Sequence, residues 1–171
     1  ARLKVLENLY MEAFPKEERR GIKQLEYFID HKKQMYFNAI EDNGVLAGFF
    51  VYWKFEAFYF LEHLAICPEL RNNKIGQQLL DYVKDNLKGT RILEVEPFVD
   101  EMTGRRIKYY QRNGYEIVKK DYIQPLYDGS GEGLGLWIMS NVKNEDPSVL
   151  EQQIGLIIDE VYKSGYSLVD L

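Results

Sequence analysis

The sequence is poor in the residues that build metal centres and disulfide frameworks. Its 171 residues include one cysteine, Cys67, and two histidines, His31 and His63. A single cysteine allows neither an internal disulfide nor a site built from several thiolates, and two histidines leave little for a zinc site. A chain of this length buries enough surface to fold without either device. We therefore expect a protein without a metal.

Long apolar runs and an excess of positive charge are missing as well. The longest apolar run, 45–53, has nine residues, about half of what a membrane-spanning helix needs. The formal net charge is −5, whereas a domain that binds nucleic acid through its phosphates is typically basic. The N-terminal residues lack the apolar segment of a signal peptide. These absences predict a cytoplasmic protein with neither a nucleic-acid nor a membrane partner.

Hydrophobic residues are abundant instead, at 46% of the chain, which excludes a disordered protein. The length predicts one domain, 1–171. Hydrophobic periodicity predicts helices over 3–13, 16–29, 71–87 and 100–112, with a last helix around 154–161. Aromatic and β-branched runs predict strands over 34–40, 45–55, 58–67, 91–95, 115–123 and 134–140. This order predicts an α/β (α+β) sandwich with a mixed sheet.

The segment 61–80 is the most informative stretch of the chain. A strand ends at Pro68, a short polar loop follows, and a helix begins near Gly76. Backbone N–H groups of such a loop and first helical turn point at one spot, which suits a pyrophosphate, and Arg71 and Lys74 add positive charge there. An ordinary strand-to-helix connection with solvated charges would show the same spacing.

Two segments carry a resemblance to a known family. Residues 68–80, PELRNNKIGQQLL, resemble the acyl-coenzyme A loop of the GNAT superfamily of N-acetyltransferases, in particular its bacterial-type members. Arg71 matches the first position of that motif and Gly76 the last, whereas Lys74 replaces the middle glycine. Residues 109–115, YYQRNGY, resemble the family's aromatic–tyrosine signature at the end of a helix. With a softer match at 13–20, the resemblance covers roughly 13–140.

The resemblance implies a GNAT-like sheet, mixed but mostly antiparallel, flanked by helices on both faces. It also implies direct transfer of an acetyl group from acetyl-CoA, as co-substrate, to a primary amine, without a metal. Thr103 and Arg106 stand where the family often has Asn and Ala. The coenzyme contacts it implies are Leu64, Ala65, Ile66, Arg71, Asn72, Asn73, Lys74, Ile75, Gly76, Gln77, Thr103 and Arg106, the first three through amides facing the thioester oxygen.

Proton transfer requires an acid for the departing thiolate and a base for the amine. The resemblance implies Tyr110 as the acid and favours Glu62 as the base. A salt bridge would equally explain Glu62, since a lone carboxylate in an apolar strand is costly to bury. Glu94 and Glu96 are alternatives, and His63 has a suitable pKa.

Strand alternation separates two of these candidates. It places Glu62 on one face with Phe60, Leu64 and Ile66, and His63 on the other face. A β-bulge would exchange the two faces.

The acceptor implied by the resemblance is a small-molecule or peptide amine. Acidic residues favour a cationic one: Glu12, Glu17, Glu18, Glu94 and Glu96. The glycine-rich segment 128–135 reads as a hairpin near the acceptor mouth, because its spacing fails the nucleotide-binding pattern. A non-catalytic acyl-CoA-binding or protein-interaction module is the rival interpretation, based on the departures at Lys74, Thr103 and Arg106. Aromatic strands are compatible with a homodimer.

Overall fold

The computed structural model describes residues 2–71 and 74–168. Six strands form its sheet: β1 (Met35–Asp42), β2 (Val45–Lys54), β3 (Tyr59–Ile66), β4 (Arg91–Val95), β5 (Glu116–Gln124) and β6 (Leu134–Ser140). Their order in the sheet is β1-β2-β3-β4-β6-β5. Only β3 and β4 pair in parallel, and the other neighbouring strands are antiparallel. The predicted mixed, mostly antiparallel α/β sheet is confirmed.

Helices cover both faces of this sheet: α1 (Arg2–Ala13), α2 (Ile22–His31), α3 (Ile75–Asn86), α4 (Glu101–Arg112) and α5 (Pro147–Ile157). One core layer is aromatic and joins the sheet to α1, α2 and α5, with Tyr10 and Phe28 fully buried. The opposite layer joins the sheet to α3 and α4 through Val83 and Ile107. Within the described residues, no helix has the length and apolarity to cross a membrane.

Two helices begin later than the periodicity predicts. Residues 16–18 form a 3₁₀ turn, and the chain is extended at Arg19 and Gly21 before α2 begins. The cause is Arg20, whose side chain is 1% exposed and points into the core instead of lying on a solvated helix face. The third helix begins at Ile75, not at Arg71, because Lys74 has a left-handed backbone with φ of 60°.

A bulge interrupts β3 at Glu62. Val51 on β2 pairs with His63 and Tyr52 pairs with Leu61, so Glu62 is the extra residue of its strand. Phe60 consequently shares a core layer with Ala65 instead of Leu64. The predicted face of Phe60, Glu62, Leu64 and Ile66 is therefore wrong, because the bulge exchanges the two faces of the strand.

The sheet opens just beyond this bulge. β3 and β4 pair only through Tyr59–Leu61 and Arg91–Leu93. Beyond those pairs β4 continues to pair with β6, whereas β3 stays with β2. The two parallel strands therefore diverge from Glu62 and Glu94 onward.

Gly48 on β2 is required by close contact between backbones. A Cβ atom on this residue would overlap the carbonyl oxygen of Ala65 on β3. We expect Gly48→Ala to lower the free energy of unfolding by about 3 kcal/mol, since the strands must move apart. Urea unfolding measures this loss.

The matched control is Gly135→Ala on β6, where an added Cβ meets no atom within 4 Å. Equal losses in the two variants would show that strand glycines as such, and not the Ala65 contact, set the effect.

Candidate active site

Main-chain groups line the opening between β3 and β4. The amide of Cys67 donates to the carbonyl of Ala47 at 2.6 Å, and amides alternate in direction along a strand. The amide of Ala65 therefore points towards β2, whereas those of Leu64 and Ile66 point into the opening. Of the three amides expected to face a thioester, the geometry directs two there.

The start of α3 is set by the backbone of Lys74. Lys74 adopts a left-handed conformation normally taken by glycine, the residue it replaces in that motif. The first helical hydrogen bond runs from the amide of Gln78 to the carbonyl of Lys74 at 3.1 Å, so the three preceding amides are free of helical partners. Arg71 donates from Nε to the carbonyl of Ile66 at 3.3 Å. Asn72 and Asn73 lie outside the described residues.

Two side-chain contacts fix the start of α3 against the end of α4. Tyr109 donates its hydroxyl to the carbonyl of Gly76 at 2.6 Å. Gln77 donates from Nε2 to Oδ1 of Asn113 at 2.7 Å, and it therefore points to α4 and not to the loop. Ile75 is buried. The sequence analysis did not single out Tyr109 or Asn113 within the segment 109–115.

Tyr110 lies on the α3–α4 side of the sheet. Its ring meets Tyr115 edge-on, with centroids 6.0 Å apart. Burial raises the pKa of the Tyr110 hydroxyl to about 12.

Thr103 and Arg106, the two residues of α4 predicted to contact the coenzyme, bond instead to neighbouring residues. Thr103 is buried in the N-terminal cap of α4, where its amide donates to Asp100 at 2.8 Å and its hydroxyl accepts from the Asp100 amide at 3.1 Å. Arg106 is exposed and pairs with Glu96 at 3.5 Å.

Glu62 is the acceptor of a completely buried ion pair. Its side chain is 0% exposed and its Oε2 is bonded to Nη1 of Arg20. Trp53 donates to Oε1 at 2.6 Å and the Tyr127 hydroxyl donates to Oε2 at 2.8 Å. Burial alone would raise the pKa of Glu62, but the charge of Arg20 and these donors outweigh it and hold the pKa below its ordinary value.

Arg20, which the sequence analysis did not single out, also anchors two other segments. Its amide donates to the Tyr10 hydroxyl at 2.8 Å, and its Nη2 donates to the carbonyl of Val161 at 2.6 Å. The guanidinium carbon lies 4.5 Å from the ring centroid of Phe28. Arg20 belongs to the charged run 16–20. Because such runs usually face solvent, the sequence offered no reason to expect a buried side chain there.

Glu94 is the contrasting carboxylate. It begins the divergent part of β4 and accepts hydrogen bonds from the hydroxyls of Tyr122 and Tyr162, both at 2.5 Å. Burial raises its pKa to about 7 against the lowering effect of the two hydroxyls, and the charge of Glu62 adds to the rise. Two carboxylates at one opening thus differ strongly in basicity.

His63 and Glu18 lie next to the buried pair. His63 donates from Nε2 to the carbonyl of Glu18 at 3.0 Å, and burial lowers the pKa of its imidazole. The pKa of Glu18 is raised by burial and by the nearby charge of Glu96. Burial thus favours the neutral form of the imidazole, and the carboxylates of Glu18 and Glu96 lie close enough to influence each other.

A cavity of about 570 Å³ lies between the α1–α2 connection and the β5–β6 connection. Its lining includes Lys16, Arg19, Lys23, Glu17, Asp128 and Tyr127. The Tyr127 hydroxyl reaches Glu62, so this cavity adjoins the buried ion pair.

The comparisons with known proteins identify the class as acetyltransferase. A sequence model described as "Acetyltransferase (GNAT) family" matches residues 3–115. A structure described as a GNAT-family acetyltransferase from Bacteroides thetaiotaomicron is 35% identical, with a TM-score of 0.88, and the alignment covers 94% of this chain and 92% of that chain. The chain therefore belongs to the GNAT acetyltransferase family, which confirms the resemblance stated for segments 68–80 and 109–115.

More distant structures share the fold. An aminoglycoside 6'-N-acetyltransferase complexed with coenzyme A is 20% identical, with a TM-score of 0.56, over 84% of this chain and 92% of that one. Arabidopsis thaliana Naa50, in complex with the bisubstrate analogue CoA-Ac-MVNAL, is 19% identical, with a TM-score of 0.56, over 83% of this chain and 93% of that one. Curated protein sequences give no match.

The half-buried residue Glu94 makes the fold less stable near neutral pH. Because its pKa rises from an ordinary 4.5 to about 7 on folding, its contribution to stability is present below the unfolded pKa and lost as pH rises through the folded pKa. We expect Glu94→Gln to be more stable than the wild type, by up to about 3 kcal/mol at pH 8 and by less towards pH 5. Urea unfolding across this range measures the difference.

The matched variant Glu62→Gln leaves Arg20 buried without its counter-ion. It should lose about 3–5 kcal/mol at pH 8. Glu94→Gln losing stability at pH 8 would contradict the assignment of opposite environments to the two carboxylates.

Proposed function

We propose that this enzyme transfers the acetyl group of acetyl-CoA directly to a primary amine, with Glu94 as the base. The observation that carries the proposal is the position of Glu94 at the divergence of β3 and β4, with a pKa raised by burial to about 7. A base of this pKa accepts a proton near neutral pH and is deprotonated often enough to act. Glu62, favoured from the sequence, has a lowered pKa and three donors on its oxygens. When the surroundings of two carboxylates shift their pKa values in opposite directions, the two groups are suited to different roles.

Binding of the coenzyme would use the loop and the open strand edge. The free amides before Gln78 and the left-handed turn at Lys74 suit a pyrophosphate, and Arg71 adds a positive charge. Leu64 and Ile66 would offer amides to the thioester carbonyl, whose oxygen becomes an anion during attack. The amide of Ala65 is used towards β2, and Thr103 serves the cap of α4, so we assign neither to the coenzyme.

The reaction would place its acid and base on opposite faces of the sheet. Glu94 bonds to Tyr122 and Tyr162 of the aromatic layer, whereas Tyr110 packs in the α3–α4 layer. The acceptor's ammonium would lose one proton to Glu94, and the resulting amine would attack the carbonyl carbon. As the C–S bond breaks, the nitrogen would lose its second proton, which the departing thiolate takes up to give coenzyme A. The Tyr110 hydroxyl would stabilise the thiolate as it leaves. A tyrosine with a pKa of about 12 holds its proton too firmly for complete transfer to a thiolate of pKa ~8.5, so we assign Tyr110 a hydrogen-bond donor role.

The acceptor would approach from the side of the 570 Å³ cavity. The predicted hairpin supplies Asp128 and Ser130 to its lining, and Glu17 lies opposite on the α1–α2 connection. Glu18 and Glu96 add negative charge between this connection and β4. Lys16, Arg19 and Lys23 line the same cavity, so its charge alone does not select a cationic acceptor. The two distant structures, an aminoglycoside 6'-N-acetyltransferase and Naa50 with the bisubstrate analogue CoA-Ac-MVNAL, support a small-molecule or peptide amine.

The test is release of coenzyme A from acetyl-CoA in the presence of primary amines. Glu94→Gln should lower kcat by about 100-fold while leaving the calorimetric affinity for acetyl-CoA unchanged. Since this variant is expected to be the more stable protein, unfolding cannot account for a loss. Glu116→Gln, an exposed carboxylate on β5, is the control. Full activity of Glu94→Gln would refute Glu94 as the base, and acetyl-CoA binding without turnover of any amine would favour the non-catalytic module.

Lys74 provides a separate test of the coenzyme loop. Its left-handed backbone costs a non-glycine residue roughly 1 kcal/mol, so Lys74→Gly should raise the free energy of unfolding by about that amount. We expect it to retain or improve acetyl-CoA affinity, measured by calorimetry, if backbone amides make the contact.

Lys74→Ala separates the backbone from the charge, because it keeps a Cβ and removes the ammonium. If both variants lose affinity equally, the lysine charge holds the coenzyme and the backbone interpretation fails.

A further inference from the structure

Two consecutive residues of the C-terminal segment (158–168) reach the two carboxylates at the opening, one directly and one through Arg20. The carbonyl of Val161 accepts from Arg20, the partner of Glu62, and the hydroxyl of Tyr162 donates to Glu94. Both residues lie in a π-helical turn, Ile158–Tyr162, that follows α5. They also lie beyond residues 3–115, which the family model matches.

The π turn explains how the Val161 carbonyl and the Tyr162 hydroxyl both come to face the sheet. In a π turn the hydrogen bonds join residues five apart, so the turn holds more residues than an α-helical turn and shifts the side chains that follow. Tyr162 is five residues after Ile157, and both are buried, at 1% and 0% exposure. Regular α-helical spacing would continue the stripe from Ile154 and Ile157 to Val161 without requiring Tyr162 to face the sheet. π turns are frequent at functional sites.

We propose that Tyr162 is a positioning residue for Glu94: its hydroxyl fixes the carboxylate at the opening between β3 and β4 and stabilises the ionised form that receives the acceptor's proton. This inference rests on the proposed role of Glu94 as the base. Tyr162 donates to Oε1 and Tyr122 donates to Oε2, each at 2.5 Å. Two donors on different oxygens fix the orientation of the carboxylate plane.

The groups that face Glu94 come from four elements. Tyr122 belongs to β5, Tyr162 to the π turn, Glu62 to β3 and Tyr127 to the β5–β6 connection. The two donors lower the pKa of Glu94 and the charge of Glu62 raises it. Tyr127 donates to Glu62 instead. Loss of the Tyr162 hydroxyl therefore removes one of two groups that keep Glu94 ionised.

The experiment is the pH dependence of kcat/KM for acetyl transfer, measured on the intact chain of residues 1–171. Tyr162→Phe keeps the ring and removes one hydrogen bond to a charged group, so the acid limb should move up by about one pH unit. At pH 6 this corresponds to about a 10-fold loss relative to the wild type, and the loss should narrow as pH rises. A merely structural role would lower activity equally at all pH values.

Two further variants make the result decisive. Tyr166→Phe makes the same chemical change in the same segment, at a ring that packs on Gly129, and should leave the acid limb in place. If Tyr162→Phe leaves the limb in place while Glu94→Gln abolishes it, the inference about Tyr162 is overturned and Glu94 stands as the base. If Glu94→Gln keeps the wild-type limb, the proposed base falls, and the role of Tyr162 falls with it.

Discussion

The buried ion pair between Arg20 and Glu62 is the constraint on which the arrangement of the site depends. Two charges at 1% and 0% side-chain exposure are costly to bury unless hydrogen bonds compensate for the water they lose. Trp53 and Tyr127 supply donors to the carboxylate, and Val161 supplies an acceptor to the guanidinium. The pair thereby joins the α1–α2 connection, the centre of the sheet and the C-terminal segment at one point.

The bulge in β3 allows Glu62 to reach Arg20 and the other partners of the ion pair. Glu62 is the extra residue of a bulge, and its side chain turns into the aromatic layer that contains Trp53. A bulge bends its strand and increases its twist, and β3 leaves β4 at this residue. The same local irregularity therefore buries a carboxylate on one face and exposes main-chain amides at the strand edge. This combination creates the opening at which we propose that the thioester binds.

Sequence reasoning predicted the parts of the site that depend on local spacing. The segment 68–80 predicted the helix α3 but not its first residue, since α3 begins at Ile75 after the left-handed Lys74, which stands where the family motif has glycine. The spacing of residues could not reveal the bulge in β3. In a strand that is apolar on both faces, one extra residue leaves an equally apolar pattern. Nor could it reveal Arg20, whose neighbours at 16–19 carry the pattern of a solvated surface. Tyr162 was missed because it lies in a π turn, which departs from the helical period that predicted the last helix around 154–161.

The difference in basicity between Glu62 and Glu94 is the central claim, and a carbon-13 NMR titration of glutamate side chains tests it most directly. Spectra of Glu62→Gln and Glu94→Gln would assign the two carboxyl resonances in the wild-type protein. We predict that Glu94 titrates with a pKa of about 7 and that Glu62 remains ionised below the ordinary pKa of a glutamate. A Glu94 resonance that titrates at an ordinary glutamate pKa, with Glu62 taking up its proton nearer neutral pH, would contradict the account.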